Sequence, residues 1–247
     1  MDGVNEEFKR ISEFLANYLG DVNCQELAGL SDSVFLTRYK REDLIAQQCS
    51  LASTVYVVYD GLIRVGKYAR TDKRRVLRFL GRGGWFGLES LFMDKEDSNI
   101  QYARALTDCE LILVERGAFR NFLREHPHTL FSLCKWLSQQ VASLELKLTR
   151  DFSEGAQQNL SCLLIALGEK FGRTQEKGTL IDLELPNPTL ANLLGVSSET
   201  LRRLMKKMVN NGTIQVDGDK MILVDEQALT KTANIDNDSL EMFKNTC

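Results

Sequence analysis

The sequence has no long uninterrupted run of apolar residues. A membrane-spanning helix needs about 18 or more such residues in a row, and the 247-residue chain contains no stretch of that kind. Residues 1–19, MDGVNEEFKRISEFLANYL, mix charged and apolar side chains, unlike the apolar centre of an export signal. We therefore expect neither export nor membrane insertion. The expected location is the cytoplasm, with no membrane partner.

Histidine is scarce and the cysteines are scattered. The two histidines, His126 and His128, flank one proline, so a histidine-based metal site would need other ligand types. The six cysteines, at positions 24, 49, 109, 134, 162 and 247, include no CxxC pair. This spacing gives no legible disulfide framework or zinc site and fits a reducing compartment. We expect no metal, and we interpret the His-Pro-His segment as the start of a helix.

The length and composition of the chain allow two folded domains. Hydrophobic residues make up 43% and charged residues 26% of the chain, so a substantial core can form. After a short helix predicted at residues 5–19, alternating apolar runs occupy about residues 34–119. These runs predict strands at 54–59, 62–65, 75–80, 101–106 and 110–115. Short strands at this spacing indicate a sandwich or small barrel whose interior can hold a ligand.

From Pro127 the apolar periodicity becomes that of a long helix. Apolar residues alternate between spacings of four and three: Leu130, Cys134, Leu137, Val141, Leu144 and Leu148. A narrow seam of this kind is typical of a two-stranded coiled coil, whereas a helix packed on its own domain usually has a broader apolar stripe. We therefore predict a dimer joined along this helix. The segment DFSEG at 151–155 predicts a hinge, and residues 156–171 predict an amphipathic helix.

The segment Pro186–Asp225 has the most specific pattern in the chain. Its sequence is PNPTLANLLGVSSETLRRLMKKMVNNGTIQVDGDKMILVD, which predicts a helix at 189–194 closed by Gly195. Ser197 is placed to cap a second helix. Apolar residues at spacings of three and four give this helix one buried stripe: Leu201, Leu204, Met205 and Met208.

The second helix has a basic polar face and is followed by a hairpin. Strands predicted at 213–216 and 221–225 flank the turn residues DGD, so helix, turn, helix and wing occur in order. The polar face carries four positive charges and one negative charge, which suits the major groove of duplex DNA despite the net charge of −3. The predicted DNA-binding residues are Ser197, Ser198, Glu199, Thr200, Arg202, Arg203, Lys206 and Lys207.

This order of a β domain, a long helix, a hinge and a winged helix-turn-helix resembles the Crp/Fnr family of bacterial transcription regulators. Four segments carry the resemblance: YKREDLIAQQCSLASTVYVVYDGLIRV, GGWFGLESLF, RALTDCELILV and LANLLGVSSETLRRLMKKM. The resemblance implies an α+β fold that begins with an antiparallel β-roll or jelly-roll domain. It divides the chain into a helix and β-roll effector domain (1–126), a dimerisation helix (127–152), a winged helix-turn-helix domain (153–229) and a polar, loosely held C-terminal tail (230–247).

The resemblance also implies how DNA is bound. In such regulators a glutamate and an arginine four residues apart on the second helix contact base edges, and they correspond here to Glu199 and Arg203. Arginine pairs bidentately with guanine O6 and N7, and a carboxylate accepts from cytosine N4. Ser198 and Arg202 fall at the variable specificity positions. The resemblance further implies a homodimer on a palindromic operator, RNA polymerase as a partner, and no enzymatic activity.

The effector site is where the sequence departs from the family. Members that bind cyclic AMP have a Gly-Glu pair for the ribose and an Arg-Ser pair for the cyclic phosphate. The corresponding stretches here are GLE at 87–89 and Asn99-Ile100. A buried phosphate without a cation or charged donor is costly, so we expect an unidentified small-molecule effector other than cyclic AMP. Arg82 and Arg104 lie nearby in the sequence, and either could in principle reach inward.

The sequence also bears on other cofactors and functions. Iron–sulfur members have an N-terminal cysteine cluster, of which only Cys24 is represented, and neither histidine can be identified as a haem ligand. Three glycines, Gly83, Gly84 and Gly87, either cradle an anion or form turns.

The alternative functions are a ligand-independent or thiol-redox-controlled DNA-binding dimer, with Cys134 as the thiol. A cupin-like enzyme would need a histidine and carboxylate cluster on strands, and no predicted strand contains a histidine.

Overall fold

The computed structural model describes residues 2–20, 22–68, 74–92, 101–153, 155–181, 186–217 and 220–233. Two compact units are formed. The first contains Met1–Arg74 and Phe79–Ser138, and the second contains Arg75–Arg78 and Gln139–Cys247. Within the described ranges, no helix is long and apolar enough to cross a membrane.

Eight short strands in the described part of the N-terminal half form two antiparallel sheets. In chain order they are β1 (Val34–Tyr39), β2 (Leu44–Ala46), β3 (Thr54–Asp60), β4 (Ile63–Tyr68), β5 (Arg74–Leu80), β6 (Trp85–Phe86), β7 (Tyr102–Ala105) and β8 (Cys109–Glu115). The strand orders are β1-β8-β3-β6 and β2-β7-β4-β5. This arrangement confirms the predicted antiparallel β-roll.

The five strands predicted from alternation are all present, and three others were not predicted. β2 and β6 have only three and two residues, which is too short for a period of two to be visible. The predicted turn at 70–73 lies outside the described residues. The β segment also ends earlier than about residue 119, because the Glu115 carboxylate accepts from the N–H groups of Gly117 and Ala118 and so starts a helix.

Helices cover one side of the first unit's core. They are α1 (Asp2–Leu19) and α2 (Arg116–Glu125), with short 3-10 helices at Glu26–Ser33 and Leu88–Leu91. Apolar residues of α1 at helical spacing, including Ile11 and Leu15, are buried in one cluster with Trp85 and Phe119. Burial of such side chains is the main favourable term in forming this unit.

The long helix α3 spans Pro127–Ser153, which confirms the predicted start at the proline. It begins in the first unit and ends in the second. The predicted hinge at 151–155 is too wide, because residues 151–153 are still helical. The described break is at Gly155, whose backbone is extended and whose carbonyl accepts the first hydrogen bonds of α4 (Ala156–Phe171). The bounds of α4 match the prediction.

The second unit contains a helix pair, a four-stranded sheet and a final helix. Its elements after α4 are β9 (Gly172–Gln175), β10 (Gly178–Ile181), α5 (Asn187–Leu194), α6 (Ser198–Asn210), β11 (Ile214–Asp217), β12 (Lys220–Leu223) and α7 (Glu226–Ala233). The sheet order is β11-β12-β10-β9, so the predicted wing hairpin is joined by a second hairpin that was not predicted. Gly178 in that hairpin has φ 130°, and a Cβ there would lie 2.0 Å from the Leu223 carbonyl oxygen.

The predicted loose tail begins too early. α7 continues through Ala233, and both Leu229 and Ala233 are fully buried. These two residues lie one helical turn apart and pack α7 against α4, whose Leu160 and Leu163 are also buried. The rest of the predicted tail, 234–247, lies outside the described residues.

Candidate nucleic-acid interface

The turn between α5 and α6 has the geometry of a helix-turn-helix. Gly195 ends α5 in the left-handed conformation with φ 69°, and its N–H donates to the carbonyls of Ala191 and Asn192. The Ser197 side chain caps α6, its Oγ accepting from the Thr200 N–H at 3.1 Å. Both local predictions are confirmed. The turn is therefore fixed at one end by the backbone conformation of Gly195 and at the other by the side chain of Ser197.

The buried stripe of α6 is narrower than the sequence predicted. Leu201 and Met208 are 0% and 1% exposed, whereas Leu204 and Met205 are only half-buried. Leu190 of α5 is buried as well, which is consistent with the contacts between the two helices. Two fully buried side chains, two turns apart, thus define the inward direction of α6.

The outward face of α6 follows from that direction. At about 100° per residue, the side opposite Leu201 and Met208 falls on Glu199, Arg203 and Lys206. All three are exposed. They form what we call the reading face. An exposed carboxylate, guanidinium and ammonium on one helix face are groups that can contact base edges and phosphates in a major groove.

The other predicted DNA-binding residues flank the reading face. Ser198 and Arg202 are exposed on one side of it, and Thr200 and Lys207 lie on the other. Ser197 is exposed too, although its hydroxyl is committed to the helix cap. The structure therefore places seven of the eight predicted residues on α6 and Ser197 at its N-terminal cap, with Glu199, Arg203 and Lys206 central.

Lys207 has an intramolecular partner that sequence reasoning missed. Its Nζ donates to Oε1 of Gln157, in the first turn of α4, at 2.8 Å. The two residues are 50 positions apart, and nothing in the local sequence of either indicates the contact. The ammonium of Lys207 is thereby held on the flank of the reading face that lies towards α4.

The wing is tied to the end of α6. The Asn211 side-chain oxygen accepts from both the N–H and the hydroxyl of Thr213, at 3.2 and 2.6 Å. The Thr213 carbonyl in turn accepts from the N–H groups of Val224 and Asp225. These bonds join the end of α6 to the segments that enter and leave the hairpin.

The six residues of the predicted dimer seam do not share one environment. Leu130 and Leu137 are half-buried and pack against the core of their own unit, next to the buried Leu133. Cys134 is exposed, and Val141 and Leu144 are 54% and 40% exposed. The side chain of Leu148 lies outside the described set. Phe131, which the seam pattern did not include, is 74% exposed on the same side as Cys134.

The glycines of the effector domain serve the roll. The N–H of Gly83 donates to the Val58 carbonyl at 2.8 Å, and that of Gly84 donates to the Gly81 carbonyl at 2.8 Å. These two donors are therefore occupied, which disfavours an anion cradle at this pair. Gly87 has φ 80° and precedes a short helix. At these positions the structure favours the turn interpretation.

An aromatic pair lies beside Gly87. Tyr56 stacks on Phe86 with ring centroids 4.3 Å apart and an interplanar angle of 3°. Both contact the apolar cluster between the sheets, and burial raises the pKa of the Tyr56 hydroxyl. Core packing therefore accounts for these two aromatic residues without a ligand.

The two arginines near the predicted effector site have partners of their own. Arg82 donates to the Tyr59 carbonyl at 2.8 Å, and its guanidinium lies over the rings of Tyr59 and Phe14. Arg104 donates to the Glu42 carbonyl. Asn99 and Ile100, on which the cyclic AMP argument depends, lie outside the described residues.

The described cysteines lie in different environments. Cys24, Cys49 and Cys134 are exposed, whereas Cys109 and Cys162 are buried. Burial raises the pKa of the Cys109 thiol to about 12, and the nearby Asp108 carboxylate adds to the shift. No group of three or more potential metal ligands occurs in the described ranges. His126 ends α2, where its Nδ1 lies 2.9 Å from the Phe122 carbonyl oxygen.

Comparisons with known proteins agree with this architecture. Residues 36–126 match the model of the cyclic nucleotide-binding domain, and residues 159–232 match the Crp-like helix-turn-helix domain. An anaerobic regulatory protein of Bacillus subtilis is 26% identical over 77% of this chain and 80% of its own length. A CRP-like cAMP-activated global transcriptional regulator of Mycobacterium tuberculosis is 21% identical over 84% of this chain and 92% of its own.

Solved structures show the same fold. FixK2 from Bradyrhizobium japonicum superposes with a TM-score of 0.70 at 18% identity, covering 81% of this chain and 96% of that one. A CRP/FNR family transcriptional regulator from Thermus thermophilus gives 0.68 at 24% identity, covering 81% and 99%. The relatives are transcription regulators, which agrees with the expectation that this chain is not an enzyme.

Proposed function

Because the chain belongs to the Crp/Fnr family of transcription regulators, we propose that it acts as a homodimer on a palindromic DNA operator. Each protomer inserts α6 into the major groove, with the cytoplasm as the compartment and RNA polymerase as a further partner. An effector other than cyclic AMP binds the β-roll and changes the DNA affinity.

The observation that carries the proposal is the composition of the reading face. Glu199, Arg203 and Lys206 point away from the core and are exposed. The spacing of Glu199 and Arg203 puts them on successive turns, so both can meet base edges along one groove. Lys206 and Lys207 add positive charge that favours the phosphates.

The long helix supports the dimer. Val141 and Leu144 expose apolar side chains on the single chain, and exposed apolar surface of this kind is stabilised by a second copy of the same helix. A two-fold axis through such a pair puts two reading faces in symmetric positions. Symmetric reading faces require half-sites related by the same symmetry, about one helical turn of DNA apart.

Effector control uses the same helix. α3 starts in the unit that contains most of the β-roll and ends in the unit that contains α6, so it connects the two directly. The sequence has Asn99 and Ile100 in place of a phosphate-binding pair, and the nearby Arg82 and Arg104 bind backbone carbonyls. Neither Asn99 nor Ile100 would give a desolvated cyclic phosphate a charged partner.

Binding-site selection from random duplexes tests the DNA-binding part. The purified full-length protein should enrich one motif with two-fold symmetry that contains a G·C pair in each half-site. Enrichment of an asymmetric motif would contradict the dimer arrangement. Enrichment of no motif would contradict sequence-specific binding.

Calorimetry tests the effector part. Titration with millimolar cyclic AMP should give no saturable heat, and saturation at micromolar concentration would contradict the proposal. Mass spectrometry of the denatured protein should then identify what co-purifies with the β-roll. A ligand found this way has to change the operator affinity, and failure of every bound molecule to do so would favour a ligand-independent dimer.

A further inference from the structure

We infer that Gln157 is a positioning residue for DNA binding: it holds Lys207 beside the reading face so that the ammonium meets a backbone phosphate. The inference rests on the proposed binding of DNA by α6. It assigns a role to a residue of α4, outside the helix pair.

The Gln157 side chain extends from a well-fixed part of the chain. α4 starts with a reciprocal contact in which the Gly155 N–H donates to Gln158 Oε1 at 2.8 Å and the Gln158 N–H donates to the Gly155 carbonyl at 2.9 Å. The Gln157 carbonyl accepts from the Ser161 hydroxyl at 3.0 Å. This first turn therefore offers Oε1 of Gln157 from a rigid base.

Lys207 gains order from that base. A lysine side chain has four rotatable bonds and loses rotamer freedom when it binds. The bond to Gln157, at 2.8 Å, restricts the ammonium before any DNA arrives. Binding to a phosphate then costs less, since part of the ordering has already occurred in the free protein.

The chemistry of the acceptor leaves the charge available. The amide oxygen of Gln157 is neutral, so it orients the ammonium without neutralising it. An ammonium has three N–H donors, and the contact with Gln157 uses one of them. A carboxylate at the same place would hold the ammonium equally well but would compete with the phosphate for its charge.

The location suits a phosphate and not a base edge. Lys207 lies one turn after Arg203 on the flank towards α4, away from the centre of the reading face. Contacts of this kind fix the register of the recognition helix on the duplex, whereas Glu199 and Arg203 specify sequence. Loss of the positioning contact should therefore weaken binding to all operators by the same factor.

The test measures operator affinity of the full-length protein over a range of salt concentrations. Lys207→Ala should reduce the slope of log K against log salt by about 0.9 for each protomer. Gln157→Ala should weaken binding by about threefold to tenfold for each protomer while leaving the slope nearly unchanged. Gln157→Glu should reduce the slope as Lys207→Ala does, because the carboxylate pairs with the ammonium.

The double variant decides between positioning and mere stability. If Gln157 acts through Lys207, then Gln157→Ala should have no further effect once Lys207 is alanine. Gln227→Ala removes an exposed glutamine of α7 in the same unit and should leave affinity and slope at the parent values. Thermal unfolding of each variant checks that the fold is retained.

Two results would overturn the inference on its own. One is additivity: the loss of affinity in the double variant equals the sum of the losses caused by Gln157→Ala and by Lys207→Ala. The other is tighter binding by Gln157→Ala, which would show that the contact withholds Lys207 from DNA. Complete absence of DNA binding by the parent would instead overturn the proposed function, and the inference with it.

Discussion

Replacement of Arg203 by alanine should abolish the preference for a G·C pair in each half-site. Arg203 is exposed and lies opposite the two fully buried side chains of α6, so its removal leaves no cavity and exposes no core. The expected change is therefore in base reading and not in folding. Glu199→Ala should act in the same direction at the neighbouring position.

The magnitude follows from the proposed two-fold symmetry. A bidentate arginine contact discriminates against the wrong base pair by about 1–3 kcal/mol. A symmetric operator presents this contact twice, so changing the G·C pair in both half-sites should cost the parent about 2–6 kcal/mol, and changing it in one should cost half of that. At about 1.4 kcal/mol for each factor of ten, the full change corresponds to roughly 30-fold to 20,000-fold.

Fluorescence anisotropy with three duplexes, unaltered, half-altered and fully altered, measures this directly. The Arg203→Ala variant should bind all three with nearly equal affinity. Lys206→Ala is the matched control, because a phosphate contact weakens binding to every duplex alike and preserves the ratios. Parent-like ratios in the Arg203 variant would refute its role in base reading. Equal costs for one and for two altered half-sites would refute the symmetric arrangement.

Four further outcomes are expected. Val141→Glu puts like charges against each other on the exposed side of α3 and should shift sedimentation towards the monomer; an unchanged dimer would exclude this surface from the interface. Ser197→Ala removes the cap of α6 and should lower stability by about 1 kcal/mol, measured by thermal unfolding. Burial raises the pKa of the Cys109 thiol to about 12, so alkylation at pH 8 should modify the exposed Cys24 and leave the Cys109 thiol unmodified. Gly155→Pro suits the backbone φ of −71° but removes the N–H that Gln158 accepts, and it should change basal operator affinity; parent-like affinity would place the control elsewhere.

Local signals predicted the helix-turn-helix almost residue by residue. Gly195 and Ser197 act through their own backbone and side-chain preferences, so the turn and the cap can be predicted without knowledge of the rest of the fold. The same holds for α4, whose start is set by Gly155. Elements of this kind depend on residues within one or two turns along the chain, and these neighbours can be read directly from the sequence.

Elements that depend on distant partners were missed. The hairpin β9–β10 has the sequence GRTQEKGTLI, in which only the last two residues are apolar, and it is held by pairing with β12. α7 is anchored by Leu229 and Ala233, a pair too sparse to predict a helix by periodicity. The bond between Gln157 and Lys207 joins two different helices, so no pattern along the chain could indicate it.

The seam of α3 shows why periodicity cannot identify the partner of an apolar face. Leu130, Leu137 and Leu144 belong to one column of residues seven apart. Leu130 and Leu137 pack against the core of their own unit, next to Leu133, whereas Leu144 is 40% exposed. Cys134 and Val141 belong to the adjacent column, which is exposed. A seam of alternating three and four spacing is produced equally by residues that attach the helix to its own domain and by residues that face a partner. The exposed residues of the seam, Cys134, Val141 and Leu144, together with Phe131, therefore form the surface on which the dimer prediction depends.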